Sequence, residues 1–182
     1  MNPDVSHENH ELIHSAVEIL RQGELLLAEI SDETFTCKVA VAFGATIGGH
    51  YRHCLDHFRN LLAVAPAGDL NYDQRERGTL VETDRFAALN ATRELLQSYA
   101  QLNPAFAPRT LAVTCKTNYS SSGSQTSPST FGRELMYCVA HAVHHYALIG
   151  VMAGIIGIKL PPGFGIAPST LKHQAESSKM AA

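Results

Sequence analysis

Histidine is concentrated in two short segments of this chain, and their spacing suits a metal site. Six of the 10 histidines lie at 50–57 (HYRHCLDH) and at 141–145 (HAVHH), the latter inside the apolar stretch YCVAHAVHHYALIGVMAGIIG. Histidine is neither a favoured core residue nor a strong helix former, so packing alone does not explain this placement. Neutral imidazole is a common metal ligand in proteins. The pattern therefore predicts that some of these side chains bind a metal ion.

His141 and His145 share one face of a predicted helix. Successive helical residues turn by about 100°, so the two positions differ by about 40° and stand one turn apart, on the side of the core residues. His144 lies about 60° to one side, and we predict that it only flanks the site. A buried imidazole needs a hydrogen-bond partner or a metal. A hydrogen-bonded core pair is the alternative for His141 and His145.

His50, His53 and His57 form a second stack, within an arc of about 60°. If the two helices face each other, three or more imidazoles can converge on one ion and leave a position open for water or substrate. The apolar face of this helix is centred about 110° from the middle of the arc. His50 and His57 lie nearer that face than His53 does, so geometry alone favours one of these two as the ligand.

The first helix provides an internal comparison. His7, His10 and His14 repeat the same spacing, but they fall roughly 100° or more from the apolar face of that helix. We expect them to be solvated. Histidine spacing therefore predicts a ligand only where the histidines also face the core.

Four long helices are expected to position the two stacks. Capping residues mark their starts: Ser6 or Asp4, Thr46, Thr83 or Asp84, and Ser127 followed by Pro128. The predicted ranges are about 6–30, 46–64, 83–102 and 127–158.

The residues between the third and fourth predicted helices do not have a helical pattern. The segment 109–119 alternates in the manner of a strand, and a Ser/Gly/Thr-rich loop follows it. We predict an all-α fold, an up-and-down four-helix bundle with a small irregular or hairpin insertion before the last helix. A single domain would cover 1–171, followed by a flexible tail at 172–182.

Composition disfavours several kinds of partner. With 45% hydrophobic residues and a net charge of −3, the chain has no basic stripe for nucleic acid or an anionic membrane surface. The longest apolar run, 147–158, is too short for a membrane span. The N-terminus lacks the pattern of a secretory signal, and the four cysteines form no C-x-x-C pair. We therefore expect a cytoplasmic protein with reduced thiols.

Three segments resemble the DinB/YfiT-like superfamily of metal-dependent enzymes, which is also similar to the N-terminal domain of the ergothioneine-synthesis sulfoxide synthase. They are TIGGHYRHCLDHF (46–58), NYDQRER (71–77) and STFGRELMYCVAHAVHHYALI (129–149). The resemblance implies an up-and-down four-helix bundle that binds one divalent metal through three histidines. Carried over by position, these are His53, His141 and His145, with His50 and His57 as second choices. Relatives include thiol-dependent S-transferases and isomerases that use bacillithiol or mycothiol.

Further residues are candidates around this site. Asp56 could orient a histidine ligand, or it could be a solvated helix carboxylate. Cys138 could line the pocket or coordinate, although a buried structural thiol is the simpler interpretation. Tyr72, Arg75 and Arg77 could cover the site and bind an anionic cofactor or substrate, or they could belong to a solvated loop.

The function expected from these observations is a metal-dependent enzyme of the thiol S-transferase or hydrolase type that acts on a small molecule. One divalent ion would activate a bound low-molecular-weight thiol or water by lowering its pKa. Imidazole suits zinc, nickel, iron and copper, so the sequence does not select the metal. A general base is not assigned, because Glu134 lies two helical turns from His141 and no H-E-x-x-H motif is present.

Two other functions are weighed against it. A closed site with four protein ligands would favour a non-catalytic metal-binding or stress-response protein. Haem ligation is disfavoured, because two ligands at i and i+4 suit a compact ion better than one axial bond.

The small residues Gly150, Gly154 and Gly157 predict close helix contact, either within the bundle or in a homodimer.

Overall fold

The computed structural model describes residues 3–64, 68–74, 76–120 and 123–180, which are mainly helical with a small sheet. The helices are α1 (Pro3–Glu29), α2 (Asp32–Thr36), α3 (Ile47–Val64), α4 (Leu80–Thr83), α5 (Arg85–Ala100), α6 (Phe131–Ile155) and α7 (Pro168–Met180). The strands are β1 (Asp69–Asn71), β2 (Thr110–Cys115) and β3 (Gln125–Thr130).

Each of the four long helices packs against two of the others. Helix α1 contacts α5 and α6, and α3 contacts the same two helices. The core between them is apolar and includes the fully buried Leu20, Leu27, Phe58 and Leu135. Helices α3 and α6, which carry the two histidine stacks, are therefore direct neighbours.

Two of the long helices begin at the capping residues that the sequence predicts. At the start of α3, Thr46 Oγ1 accepts a hydrogen bond from the Gly49 N–H at 2.9 Å. At the start of α5, an Asp84 carboxylate oxygen accepts from the N–H groups of Phe86 and Ala87. These side chains satisfy amide groups that have no partner within the helix. The caps thereby fix where each helix begins.

The chain is mainly helical, as predicted, but it is not all-α, because it also forms a three-stranded sheet. Strand β2 pairs in parallel with β1 and in antiparallel fashion with β3, so the predicted hairpin is present. Ser127 and Pro128, expected to open the last helix, lie in β3, where Pro128 pairs with Ala112. An edge strand tolerates proline, which has no N–H to donate. Thr130 caps α6 instead, accepting from the Arg133 N–H at 3.2 Å.

The segment after α6 folds back onto that helix. The Phe164 ring stacks on Tyr146 with the ring centroids 4.7 Å apart. Gly165 has a φ of +70°, and a Cβ there would lie 2.6 Å from backbone atoms of Tyr146 and Ala147. Glycine is therefore required by both conformation and space. The predicted boundary at residue 171 falls inside α7, and residues 172–179 are exposed and helical, while flexibility of this tail stays a prediction.

Gly150 and Gly154 lie on the outer face of α6, and Gly157 follows the end of that helix. A Cβ added at Gly150, Gly154 or Gly157 would meet no other atom within 4 Å in the part of the chain that the structure describes. The predicted close contact within the bundle is therefore wrong, and the homodimer stays a prediction. By length and composition α6 could also cross a membrane, a test that core helices of soluble proteins pass as well.

Candidate metal centre

Five histidines of α3 and α6 meet in one cluster. His50 contacts His145, and one turn further along α3 His53 contacts His141. The His57 ring lies next to His141 in turn, with centroids 4.2 Å apart. From one contacting pair to the next, the residue numbers increase on α3 and decrease on α6. The two helices therefore run in opposite directions. Residues spaced by about one turn on each helix form successive levels of the cluster.

His53, His141 and His145 form a compact group within it. One ring nitrogen of each lies within 4.8 Å of those of the other two. The Nε2 atoms of His53 and His141 are 3.0 Å apart. Nitrogens bound at about 2.05 Å to one tetrahedral ion would be about 3.3 Å apart, so the widest pair must close by at most about 1.5 Å. These three residues, which the resemblance implied, fit a shared divalent ion.

His50 and His57 lie beside this group. The Nδ1 atoms of His50 and His145 are 2.9 Å apart, so one imidazole donates a hydrogen bond to the other. His57 Nδ1 donates to the backbone oxygen of His53 at 2.9 Å. Each contact restrains the orientation of a side chain next to the compact group, which is the usual role of groups that surround metal ligands.

Burial affects the charge state of the cluster. Desolvation, and then the neighbouring His144, lowers the pKa of His50. Desolvation, followed by His50, His144 and His57, lowers the pKa of His145 to about 4. Both imidazoles are therefore neutral near pH 7, and the neutral ring is the form that binds metals.

Histidines outside the cluster are placed as the sequence predicts. His144 is exposed beside His145, with ring centroids 5.3 Å apart. His7, His10 and His14 are exposed on α1. The position of each histidine relative to the apolar face of its helix therefore distinguishes surface histidines from those of the cluster.

A cavity of about 540 Å³ opens beside the histidines. This volume is within the range of sites that bind small molecules. Three histidines (His53, His57 and His141) line it, together with side chains from the segment after β1, from the β2–β3 hairpin and from the first turns of α6. The lining includes Tyr72, Asp73, Val113, Cys115, Lys116, Ser127, Ser129, Arg133, Glu134 and Tyr137.

Glu134 is a buried carboxylate in the cavity wall. Its Oε2 accepts a hydrogen bond from the Tyr72 hydroxyl at 2.8 Å, while Oε1 accepts from Ser129 at 2.6 Å and from Arg133 at 3.1 Å. The Tyr72 ring stacks on His57, with centroids 4.9 Å apart. Desolvation raises the pKa of Tyr72, so its hydroxyl stays protonated. This network fixes Tyr72 in the wall of the cavity.

The sequence analysis placed Tyr72 at the site but missed Glu134 as its partner. The available signal was helical spacing, because Glu134, Cys138 and His141 repeat at i, i+4 and i+7 on one face of α6. Glu134 was not identified as part of the site because it lies two helical turns away from the metal ligands.

The remaining candidates differ in their surroundings. Asp56 is buried and pairs with Arg52 at 2.8 Å, so it is no solvated carboxylate. Its role in orienting His53 stays a prediction. Arg77 is exposed, and Arg75 lies outside the described residues.

Cys138 lies behind the cavity wall. Its side chain is fully buried, and its Sγ is 3.8 Å from the Tyr72 hydroxyl. Burial raises the pKa of Cys138 to about 12. The thiol is therefore protonated near neutral pH, and it resembles a structural residue more than a metal ligand.

Comparisons with known proteins place the chain in no family. No family model matches it, and no solved structure matches it. Over 104 residues, or 57% of this chain, the sequence is 38% identical to FK506-binding protein 5 of Rhizopus delemar, and the match covers 27% of that protein. The chain thus spans about a quarter of the length of this relative. The relative's name gives no information on the histidine cluster.

Proposed function

We propose that this chain is a DinB-like protein that binds one divalent metal ion through His53, His141 and His145 and acts as a metal-dependent enzyme on a small molecule. The proposed chemistry is that of a thiol S-transferase or hydrolase. The proposal is carried by three imidazole nitrogens within 4.8 Å of one another next to a cavity of about 540 Å³. Three ligands leave at least one coordination position open to solvent or substrate. Zinc, nickel and iron(II) all accept such ligands.

An up-and-down four-helix bundle is part of the proposal. It is supported by the antiparallel course of α3 and α6 and by the packing of each long helix on two others. A bundle of this kind presents side chains of facing helices to a common interior point. One residue of α3, His53, and two residues one turn apart on α6, His141 and His145, would then supply all three ligands.

The residues around the site have separable roles in this proposal. A bound ion would lower the pKa of a thiol or water held at its open position. His50 holds the ring of His145 through the contact between their Nδ1 atoms. Tyr137 stacks on His141 with ring centroids 5.5 Å apart, and Tyr72 is held by Glu134, so two aromatic rings form part of the cavity wall.

A non-catalytic metal-binding protein is the second candidate. One observation favours it: His50 Nδ1 is only 2.9 Å from His145 Nδ1, so a further imidazole lies directly beside the three candidate ligands. A site with four protein ligands is closed to substrate and would be structural or serve metal sensing. The number of histidines on the ion therefore decides between the two candidates.

The relative from Rhizopus delemar does not change this choice. Its printed name says that it binds FK506, but this chain matches about a quarter of that protein. The proposal depends on the histidine geometry instead. Cytoplasmic localisation, homodimer formation and the lack of nucleic-acid or membrane partners stay predictions beside it.

Elemental analysis tests the metal site. Purified protein supplied with zinc, nickel or iron(II) should retain one ion per chain, and the His53→Ala and His141→Ala variants should not. No stoichiometric metal with any of these ions would refute the site. Conjugation of a model electrophile by a panel of thiols tests the enzyme. Metal-dependent turnover supports it, whereas a metal-loaded protein inactive across the panel supports the second candidate.

A further inference from the structure

The charged side chains that line the cavity balance each other. Among the described residues, Lys116 and Arg133 face two acids, Asp73 and Glu134. Glu134 accepts hydrogen bonds on both oxygens, and Asp73 Oδ2 accepts from the backbone N–H of Lys116 at 2.6 Å. Both carboxylates therefore already accept hydrogen bonds from other groups of the protein. The lining as a whole contributes no net formal charge.

A metal held by the proposed ligands would make the cavity strongly positive. Neutral imidazoles bring no negative charge, so the two positive charges of a divalent ion would add to a balanced lining. A neutral substrate would leave this charge uncompensated. Negative charge on the substrate, at the metal-binding atom and at a second group, would compensate it.

Lys116 and Arg133 are suited to contact that second group. Arg133 uses one nitrogen on Glu134, is 65% exposed, and lies 5.7 Å from the centroid of the Tyr137 ring. Its other N–H groups remain able to donate, since guanidinium has five. In the described part of the chain Lys116 has no ion pair, and its backbone is anchored to Asp73. Arg133 and His141 are eight positions apart, about 12 Å along α6, a length that the Arg133 side chain and a small molecule can span together.

We propose that the cavity binds small molecules that carry a carboxylate a few bonds from the metal-binding donor atom, and that Lys116 and Arg133 contact this carboxylate. The inference rests on the proposed metal site. Because both cations are largely exposed, solvent screens the interaction and the preference for the charged ligand should be modest, about fivefold. The preference should also weaken as salt is added.

Two thiols of the same size test this proposal. Cobalt(II)-loaded protein is titrated with 3-mercaptopropionate and with 3-mercaptopropionamide, and the thiolate-to-cobalt absorption band reports binding without turnover. At low salt the carboxylate should bind about fivefold more tightly than the amide. Lys116→Gln should reduce this preference, because it weakens binding of the carboxylate more than binding of the amide. Arg133→Lys, which keeps the charge, should retain it.

Arg109→Gln is the matched control. It removes one positive charge from a residue whose guanidinium lies 4.2 Å from the centroid of the Phe106 ring and which is outside the cavity lining. The preference should survive in this variant. Equal affinity of the wild type for the two thiols, or equal loss of preference in Arg109→Gln and Lys116→Gln, would overturn the inference alone. Protein that holds neither cobalt nor zinc, nickel or iron(II) by elemental analysis would overturn the proposed function, and this inference with it.

Discussion

Metal binding should stabilise the folded chain, and single histidine substitutions should remove that effect selectively. The three candidate ligands come from two helices that are far apart in sequence, so the metal site forms only when α3 and α6 are packed together. A metal that binds only the folded state shifts the unfolding equilibrium toward that state. Substituting His141 by alanine removes one of three ligands without changing the charge of a neutral imidazole site.

The expected size of the effect follows from mass action. With zinc at 100 times its dissociation constant, the wild type should gain about 2.7 kcal/mol of unfolding free energy. For a chain of this length that corresponds to a Tm increase of about 5–10 °C. Loss of a residue that only supports a ligand costs 10–100-fold in affinity, so loss of a ligand should cost at least about 100-fold. At the same zinc concentration His141→Ala would then gain only about 0.4 kcal/mol, or about 1 °C.

Thermal unfolding by circular dichroism, with and without zinc, measures both numbers. The matched control is His144→Ala, because His144 is exposed and belongs to the same helix but not to the compact group. It should keep the full shift. The reasoning is refuted if zinc, nickel and iron(II) all leave the wild-type Tm unchanged, or if His141→Ala responds as strongly as the wild type.

Three further substitutions test other contacts. His50→Ala should retain one metal per chain but bind it about 10–100-fold more weakly in competition with a chelator; unchanged affinity would show that His50 does not support the site. Tyr72→Phe leaves Glu134 Oε2 without its phenolic donor and should lower the free energy of unfolding in urea by about 1–3 kcal/mol; a change under about 0.5 kcal/mol would contradict the network. Gly165→Ala should lower the Tm more than Gly163→Ala, because both have positive φ but only the first Cβ would meet backbone of α6; equal Tm values would contradict this packing.

The starts of α3 and α5 follow from local sequence. Thr46 and Asp84 cap their helices through side-chain hydrogen bonds to nearby N–H groups, and such contacts depend on a few neighbouring residues. The start of α6 could not be found in this way. Ser127 and Pro128 have the residue types of a helix start, yet they belong to β3 because they pair with Val113 and Ala112 of β2. Pairing with a distant strand overrode the local preference.

The candidate site shows the same division. Helical spacing identified the two stacks, and the direction of the apolar face excluded His7, His10 and His14, which are exposed. It did not select His53, because the choice among three residues on α3 depends on how α3 and α6 are rotated against each other. The resemblance selected His53, and the structure brings it together with His141 and His145. The Tyr72–Glu134 contact joins residues 62 positions apart, which no single-helix pattern can predict.

The cavity wall combines residues of two helices with residues of the segments that connect the helices. Every candidate ligand lies on α3 or α6, whereas the opposite wall comes largely from the β2–β3 hairpin, including Val113, Lys116 and Ser127. Hairpin residues could therefore be exchanged, or the hairpin lengthened, without touching a ligand. Changes in this one connecting segment could therefore alter which molecules enter the cavity. The interior of the helical scaffold and its imidazoles would stay the same.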